Sequence, residues 1–461
     1  MRLDRITLTT TLASVLIAWP AQSLAQTAQP AQPGPPAEPP TAPAPTVPPP
    51  PPAPPPPPPA AKPPPSEYLS VGGDWRFGFH GIAGVSFYVQ DTPDFVYNGQ
   101  GPLLPQTKPA GGFTTGADIR QSRFGFSVAG PKVLGATPRA VLEIDLFGLD
   151  SPGDYGEVSA YERLRLAYAE LRWENTLLRV GQDNQLILAI VPESIGHLAY
   201  PVTYTAGMIG WREPGIGFFQ KIPLGDSNLE LAFQVMKSDW GSPYNLAASP
   251  EQVQDVDLGQ LSGLPGVEGR LKFNSEALTA YVAGHWNRVM GSHQNDEEPP
   301  LTTTFYNRNW DVYAGVAALQ ARVAGLSLTA SGYLGNDLAP LLGEELQFFQ
   351  EGDIKEWGAW GQLGYVFTPF LDVTAVAGYS RLSAGDLESI LVVGGGSGHL
   401  SNMVLGGMAR FRFGGFVFGP EFYHLIAKNI EPGGEGAPSG LGAPDGIVVA
   451  NQAMLSAMYF F

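Results

Sequence analysis

Over long stretches of the chain, apolar and polar side chains alternate with a period of two. Within 139–148, Leu142, Ile144 and Leu146 share one parity, and Glu143 and Asp145 share the other. Phe124, Phe126 and Val128 alternate with Gln121 and Arg123, Leu164, Leu166 and Tyr168 with Arg163 and Arg165, and Leu178 and Val180 flank Arg179. Further on, Leu271 and Phe273 alternate with Arg270 and Lys272, and Phe411 and Phe413 with Arg410 and Arg412. In a β-strand such a period sends successive side chains to opposite faces. These segments are therefore expected as strands with one apolar face and one charged face. Arg123, Glu143, Asp145, Arg163, Arg165 and Arg179 should then share one sector of a wall.

The apolar runs are joined by alternately short and long connections, the rhythm of a transmembrane barrel with short periplasmic turns and longer external loops. About sixteen strands are predicted on that rhythm, eighteen being the alternative count. The pairs are 76–89 with 117–129, 139–148 with 161–173, 176–182 with 215–222, 228–238 with 266–273, 277–289 with 310–323, 326–334 with 356–367, 370–381 with 400–413, and 416–428 with 447–461. The links between pairs are brief, such as Glu174-Asn175, Ala324-Gly325 and Gly414-Gly415. A soluble sandwich would also alternate, but its apolar face would need a second layer to cover it. No further set of elements remains in the chain to do so, which favours lipid as the cover. The fold class is thus all-β, a transmembrane antiparallel β-barrel carrying a disordered proline-rich N-terminal extension. Leu455, Ala457, Tyr459 and Phe461 alternate along the last strand. Tyr459 and Phe461 are expected in the interfacial girdle, and as the signal that the barrel assembly machinery reads.

Composition changes this picture at the N-terminus. Arg2 and Arg5 precede an apolar stretch from Ile6 to Trp19, and Ser23-Leu24-Ala25 supplies small residues for cleavage. Residues 1–25 are therefore expected to be a secretory signal peptide. Residues 26–66 read as a proline-rich periplasmic linker, since 22 of the chain's 45 prolines lie between 27 and 65. Proline fixes φ and removes an amide donor, so this arm should be a semi-rigid polyproline II spacer of roughly 3.1 Å per residue. With one basic residue, Lys62, and no aromatic, the arm suits a passive tether better than a docking arm for the cell wall. Residues 67–461 make the barrel. The chain has no cysteine, hence neither a disulfide nor a lipid-bearing cysteine.

Charge bears on function in two ways. Inward arginines would form a basic ladder along an aqueous lumen, lowering the barrier for small anions. Equally, Glu143 and Asp145 would neutralise them into a rigid ion-paired wall of little selectivity. The net charge of −17 opposes an anion channel, but Glu251, Asp255, Asp257, Asp296, Glu297, Glu298, Glu344, Glu345, Glu351 and Asp353 fall in expected external loops near lipopolysaccharide. There they need not set the field inside. The longest connection, 183–214, carries Asp183, Glu193, His197, Tyr204 and Arg212 beside the apolar run Leu186, Ile187, Leu188, Ile190 and Val191. That content favours a loop folded inward as a constriction. The histidines lack metal-ligand spacing, so no metal and no cofactor is expected, and an acidic chain of this kind offers nothing to nucleic acid. Two other functions compete: a rim hydrolase using His285 or His293 as base, and an envelope tether with a blocked lumen.

Four stretches carry a family resemblance: Ser122-Arg123-Phe124-Gly125-Phe126, Glu143-Ile144-Asp145-Leu146-Phe147-Gly148, Arg163-Leu164-Arg165-Leu166-Ala167-Tyr168 and Leu178-Arg179-Val180-Gly181-Gln182. In order and spacing they resemble the DcaP-like branch of the Gram-negative outer-membrane porins. The resemblance implies a homotrimeric sixteen-stranded diffusion channel that is not an enzyme, a third loop narrowing the pore, and passage of small anions such as dicarboxylates. Asp183 stands where that branch commonly has an aromatic, and the proline tract replaces its periplasmic coiled coil.

Overall fold

In a computed structural model of the chain the last strand returns to the first. Ile447–Phe460 runs antiparallel to Arg76–Gln90, with Ile82 opposite Phe460 and Gln90 opposite Gln452, and this pairing closes the wall into a barrel. The structure describes residues 69–70, 74–91, 112–148, 151–152, 158–159, 161–238, 258–290, 309–343, 354–387, 398–430 and 446–461. The signal peptide, the proline-rich linker, His293 and the acidic loop residues named above lie outside the described residues.

Sixteen strands make the wall, each antiparallel to its neighbours. They are β1 (Arg76–Gln90), β2 (Thr114–Asp118 continued by Arg123–Ala129), β3 (Thr137–Asp145), β4 (Arg163–Arg172), β5 (Thr176–Asn184), β6 (Arg212–Leu224), β7 (Ser227–Met236) and β8 (Gly266–Asn274). The second half comprises β9 (Leu278–Met290), β10 (Asn309–Val323), β11 (Leu326–Asn336), β12 (Lys355–Thr368), β13 (Leu371–Leu382), β14 (Gly398–Phe413), β15 (Phe416–Ile430) and β16 (Ile447–Phe460). The short turns are built from residues that accept positive φ. Ala324 and Gly325 have φ of 50° and 84°, the two left-handed positions of a tight hairpin whose twist matches its strands.

One face of every long strand is apolar and points away from the interior. Phe79, Phe87, Phe126, Leu142, Leu164, Val180, Phe218, Phe233, Val282, Leu363 and Leu455 are all exposed, as lipid-facing positions of a barrel must be. Near the short turns this face becomes aromatic. Phe370 stacks on Phe413, Phe411 and Phe413 on Phe418, and Tyr459 on Phe461, with Phe461 also against Phe79. Such amphipathic rings suit the membrane interface.

Three local departures from strict alternation matter. First, β2 breaks at 119–122, where the buried Asp118 carboxylate accepts hydrogen bonds from the Arg120 backbone N–H at 2.7 Å and from its Nε at 2.8 Å. A side chain that bonds the backbone two residues on ends a strand locally. Likewise β3 stops at Asp145, short of 148, because its carboxylate accepts the Phe147 amide at 3.1 Å. Second, a bulge at Arg165 places Glu143 opposite Leu166 and Ile144 opposite Leu164. One extra residue reverses parity beyond it, so Leu166 and Tyr168 face inward, not outward as alternation predicts. Gln182 seals the bulge by donating from Nε2 to the carbonyls of Leu164 and Arg165. Third, β5 runs on through Asn184, which makes Asp183 a wall residue and not a loop residue.

Opposite the far side of the bulge lies Gly181, with φ of 127° and a space in which a β-carbon would fall 2.2 Å from the Ala167 carbonyl oxygen. Gly181→Val should therefore cost at least about 2 kcal/mol in strain and clash. The measurement is the yield of heat-modifiable barrel on refolding, expected to fall well below that of Gly332→Ala, whose site has room.

Candidate functional site

Beneath the bulge the barrel interior holds a dense arginine and carboxylate network. Asp145, with a fully buried side chain, receives Arg163 in a fork, from Nε at 3.0 Å and Nη2 at 2.6 Å, and Arg165 Nη1 at 2.8 Å. Glu143 receives Arg165 Nε at 2.9 Å and stands 3.5 Å from Arg123 Nη1. Further along the wall, in the row of Arg139, Arg179 donates to Glu170 at 2.7 Å, pairs with Asp183, and lies 4.2 Å over the Tyr168 ring. The register makes this clustering inevitable, because Arg123 is directly opposite Asp145, and Asp145 directly opposite Arg163. Buried guanidiniums of this kind need carboxylate partners to offset desolvation.

Arg212, the first residue of β6, differs. Its guanidinium lies 3.8 Å over the Trp211 ring, is almost fully buried, and makes no ion pair among the described residues. The charges acting on it are those of Arg165 and Arg163 before that of Asp145. Arg163 itself donates to the Tyr200 hydroxyl and lies over the rings of Phe147, Tyr200 and Trp211. Arg123, Arg163, Arg165 and Arg212 thus face Glu143 and Asp145, a patch with positive charge in excess.

The segment 185–211 between β5 and β6 has no strand, so its backbone groups must be satisfied elsewhere. Interior side chains of the wall do this in sequence. Glu268 on β8 accepts the Leu186 amide, Arg270 donates to the Leu186 carbonyl at 3.1 Å, and Tyr281 to that of Ile187 at 2.9 Å. Gln362 on β12 bonds Glu193 at both its amide, 2.8 Å, and its carbonyl, 2.7 Å. Glu421 on β15 accepts from Ser194 Oγ at 2.9 Å and from the Ile195 amide. Gln121, in the break of β2, accepts the amides of Leu198 and Ala199 at 2.9 and 2.8 Å, and Arg123 donates to the Leu198 carbonyl at 3.0 Å. Ser380 on β13 donates to the Thr205 carbonyl at 2.5 Å. Where the segment meets β13 the wall is Gly378, since a β-carbon there would come 2.1 Å from the Ala206 carbonyl oxygen.

The other expected site residues fall into two groups. Arg410 bridges Asp372 and Glu193, Arg412 reaches Asp372 at 3.1 Å while half-exposed, and Arg270 pairs with Glu230 at 2.9 Å beside Lys272. His197 and Tyr204 are buried inside the segment. The His197 Nε2 meets Gln452 Oε1 at 3.1 Å with its ring edge-on to Tyr423, and the Tyr204 hydroxyl donates to the Gly210 carbonyl at 2.6 Å. Alternation placed Gln121 on the polar face with Arg123 but did not single out Glu268, Gln362 or Glu421. The available signal was a carboxylate in a membrane strand with no opposite charge two residues away, as at Glu421. His285, the base of the hydrolase reading, bonds Glu268 at 2.9 Å and Asn287 at 2.9 Å, which occupies both ring nitrogens.

Titration of the segment has one sign. Burial pushes the Glu193 carboxyl up, but Arg410, Arg412 and Arg322 hold it below its ordinary value. Burial keeps the His197 imidazole below its ordinary value, and so neutral. A depressed carboxylate and a depressed imidazole each contribute stability that is complete above the unfolded pKa, about 4.3 and 6.5, and lost as pH falls through the folded one.

No family model matches the chain, and no curated protein does either. Solved structures do match. The fold is that of the Gram-negative outer-membrane porins. The outer membrane channel DcaP of Acinetobacter baumannii aligns over 86% of this chain and 99% of its own, at 13% identity and a TM-score of 0.62. OmpT of Vibrio cholerae, outer-membrane expressed, aligns over 86% and 100% at 10% identity and 0.50, and Salmonella typhi OmpF in complex with daunomycin over 86% and 100% at 11% and 0.50.

Two outcomes are expected. Asp145→Ala should destabilise the barrel by about 3–5 kcal/mol, because it leaves two buried guanidiniums unpaired, as read from the denaturant midpoint in detergent. Acidification from pH 7 to 3 should increase protease cleavage within 185–211, and Glu193→Gln should flatten the lower part of that rise while leaving the part near pH 6.

Proposed function

We propose that the chain is a passive diffusion channel of the outer membrane that prefers small anions, dicarboxylates among them, and that segment 185–211 folds inward and narrows its lumen. The observation that carries the preference is Arg212, a guanidinium without a carboxylate partner set beside Arg163 and Arg165. The paired arginines form the rigid wall, and the unpaired one leaves the field positive where solutes pass. A dicarboxylate, with two negative charges, interacts with that field more strongly than a neutral solute of its size. The wall contacts of 185–211 support the narrowing. The likeness to porins and the occupied nitrogens of His285 support transport over hydrolysis. Homotrimer formation, removal of residues 1–25, the passive role of the proline arm, and recognition of Tyr459 and Phe461 by the assembly machinery belong to the same reading.

The test is the reversal potential of the purified protein in a planar bilayer across a potassium chloride gradient. An anion-selective potential is expected, and Arg212→Gln should lower the chloride to potassium permeability ratio by about twofold or more without disturbing the wall. Cation selectivity of the wild type, or an unchanged ratio in the variant, overturns the assignment. Deleting residues 188–209 should raise the single-channel conductance, and an unchanged conductance overturns the constriction.

A further inference from the structure

At the end of the barrel that carries the short turns, well down the wall from Arg212, the interior holds a second basic group. Arg76 is opposite Ala129, Ala129 opposite Arg139, and Arg139 opposite Glu170, so one transverse row sets a small residue between two arginines. Arg172, opposite Thr137, adds a third guanidinium from the adjacent row. Together with Ala129 and Thr137 these arginines line a cavity of about 370 Å³. Ala129 is what makes it a hollow, because any longer side chain in that row would fill the space between Arg76 and Arg139.

The local charge is out of balance. Glu170 has a fully buried side chain and is shared by three guanidiniums, with Arg179 at 2.7 Å, Arg172 at 3.0 Å and Arg139 at 3.5 Å. Arg76 makes no ion pair among the described residues. Arg172 and Arg139 remain partly exposed, with side-chain accessibilities of 52% and 31%, so each has donors left over beyond Glu170. Guanidinium N–H groups are planar, fixed donors, and several of them around one hollow require a ligand with several acceptor oxygens.

We propose that this hollow is a second anion site, distinct from the one at Arg212, that takes a small divalent oxyanion of the phosphate or sulfate type. Its position at the turn end makes it a holding point at the mouth of the lumen. A tetrahedral dianion can accept from Arg76 on one side and from Arg139 and Arg172 on the other, adding the acceptors that the single shared Glu170 carboxylate does not supply. The site stands on the row geometry alone and does not depend on which ions the Arg212 region passes.

The experiment is calorimetric titration of the full-length folded protein in detergent with sodium phosphate at pH 7.5 and low ionic strength. Saturable binding is expected. The double variant Arg76→Ala/Arg172→Ala should weaken it by about tenfold, the effect of losing charge-assisted hydrogen bonds. Ala129→Leu, which fills the hollow without changing charge, should weaken it to a similar degree, and Arg212→Gln should retain the binding component that Ala129→Leu removes. Heat-modifiable migration verifies that each variant is folded. Absence of saturable binding, full binding in Ala129→Leu, or loss in Arg212→Gln of the component that Ala129→Leu removes overturns the proposal. The reversal potential of Ala129→Leu, expected to match the wild type, separates this outcome from failure of the anion-channel reading.

Discussion

Irregular backbone in a membrane protein has no strand or helix ladder to satisfy its amides and carbonyls, so neighbouring side chains must do so. Segment 185–211 meets that constraint with side chains of two kinds, acceptors for its amides and donors for its carbonyls. Glu268, Gln362, Glu421 and Gln121 present carbonyl or carboxylate oxygens to its N–H groups, while Arg270, Tyr281, Arg123 and Ser380 donate to its carbonyls. Because these residues come from strands spread around the barrel, the segment is held at many points. Its apolar side chains then supply much of what the wall lacks, an interior core. Val202 and Ala206 pack with Tyr88, Val404 and Tyr423, and Ile187 and Ile209 with Val312 and Leu338.

The same constraint explains why two kinds of arginine occur. A guanidinium in the wall gives up water and must be repaid by a carboxylate, which is the state of Arg163, Arg165 and Arg179. Arg212 instead rests on an indole face, and that contact holds a cation without cancelling its charge. Stabilising a guanidinium through a ring keeps its field available, whereas stabilising it through a carboxylate does not. The ion-paired guanidiniums and the ring-supported one thus differ in what compensates their burial.

Much of this was legible before any coordinates. Alternation located the wall strands because lipid on one side and a polar interior on the other impose a strict period of two, and the neighbouring placement of Arg123, Glu143, Asp145 and Arg163 on adjacent strands followed. Alternation fails where one residue is added or a side chain competes for the backbone. The Arg165 bulge turned Leu166 and Tyr168 inward, and Asp118 broke β2, so that Gln121 reaches the segment as a fully buried anchor. Neither event leaves a periodic trace. The placement of His197 and Tyr204 was equally hidden, because burial of a loop residue depends on contacts far away in the chain, such as Gln452 and Tyr423.

The bulge also has a functional logic that strict pairing would forbid. With regular alternation, Arg163 and Arg165 would stand on one face with a full residue pair between them, and each would meet its own neighbour across the strand. Inserting Arg165 as the extra residue lets both guanidiniums converge on the single Asp145 carboxylate. Convergence compresses positive charge into a small volume and frees the next interior positions for Leu166 and Tyr168, the latter giving Arg179 its aromatic support. Gln182, on the opposite face, then satisfies the two carbonyls that the bulge leaves without ladder partners. The Gly181-Gln182 pair is thus the structural counterpart of the arginine cluster: glycine allows the backbone to turn beside the bulge, and glutamine closes the hydrogen bonds that lipid could not.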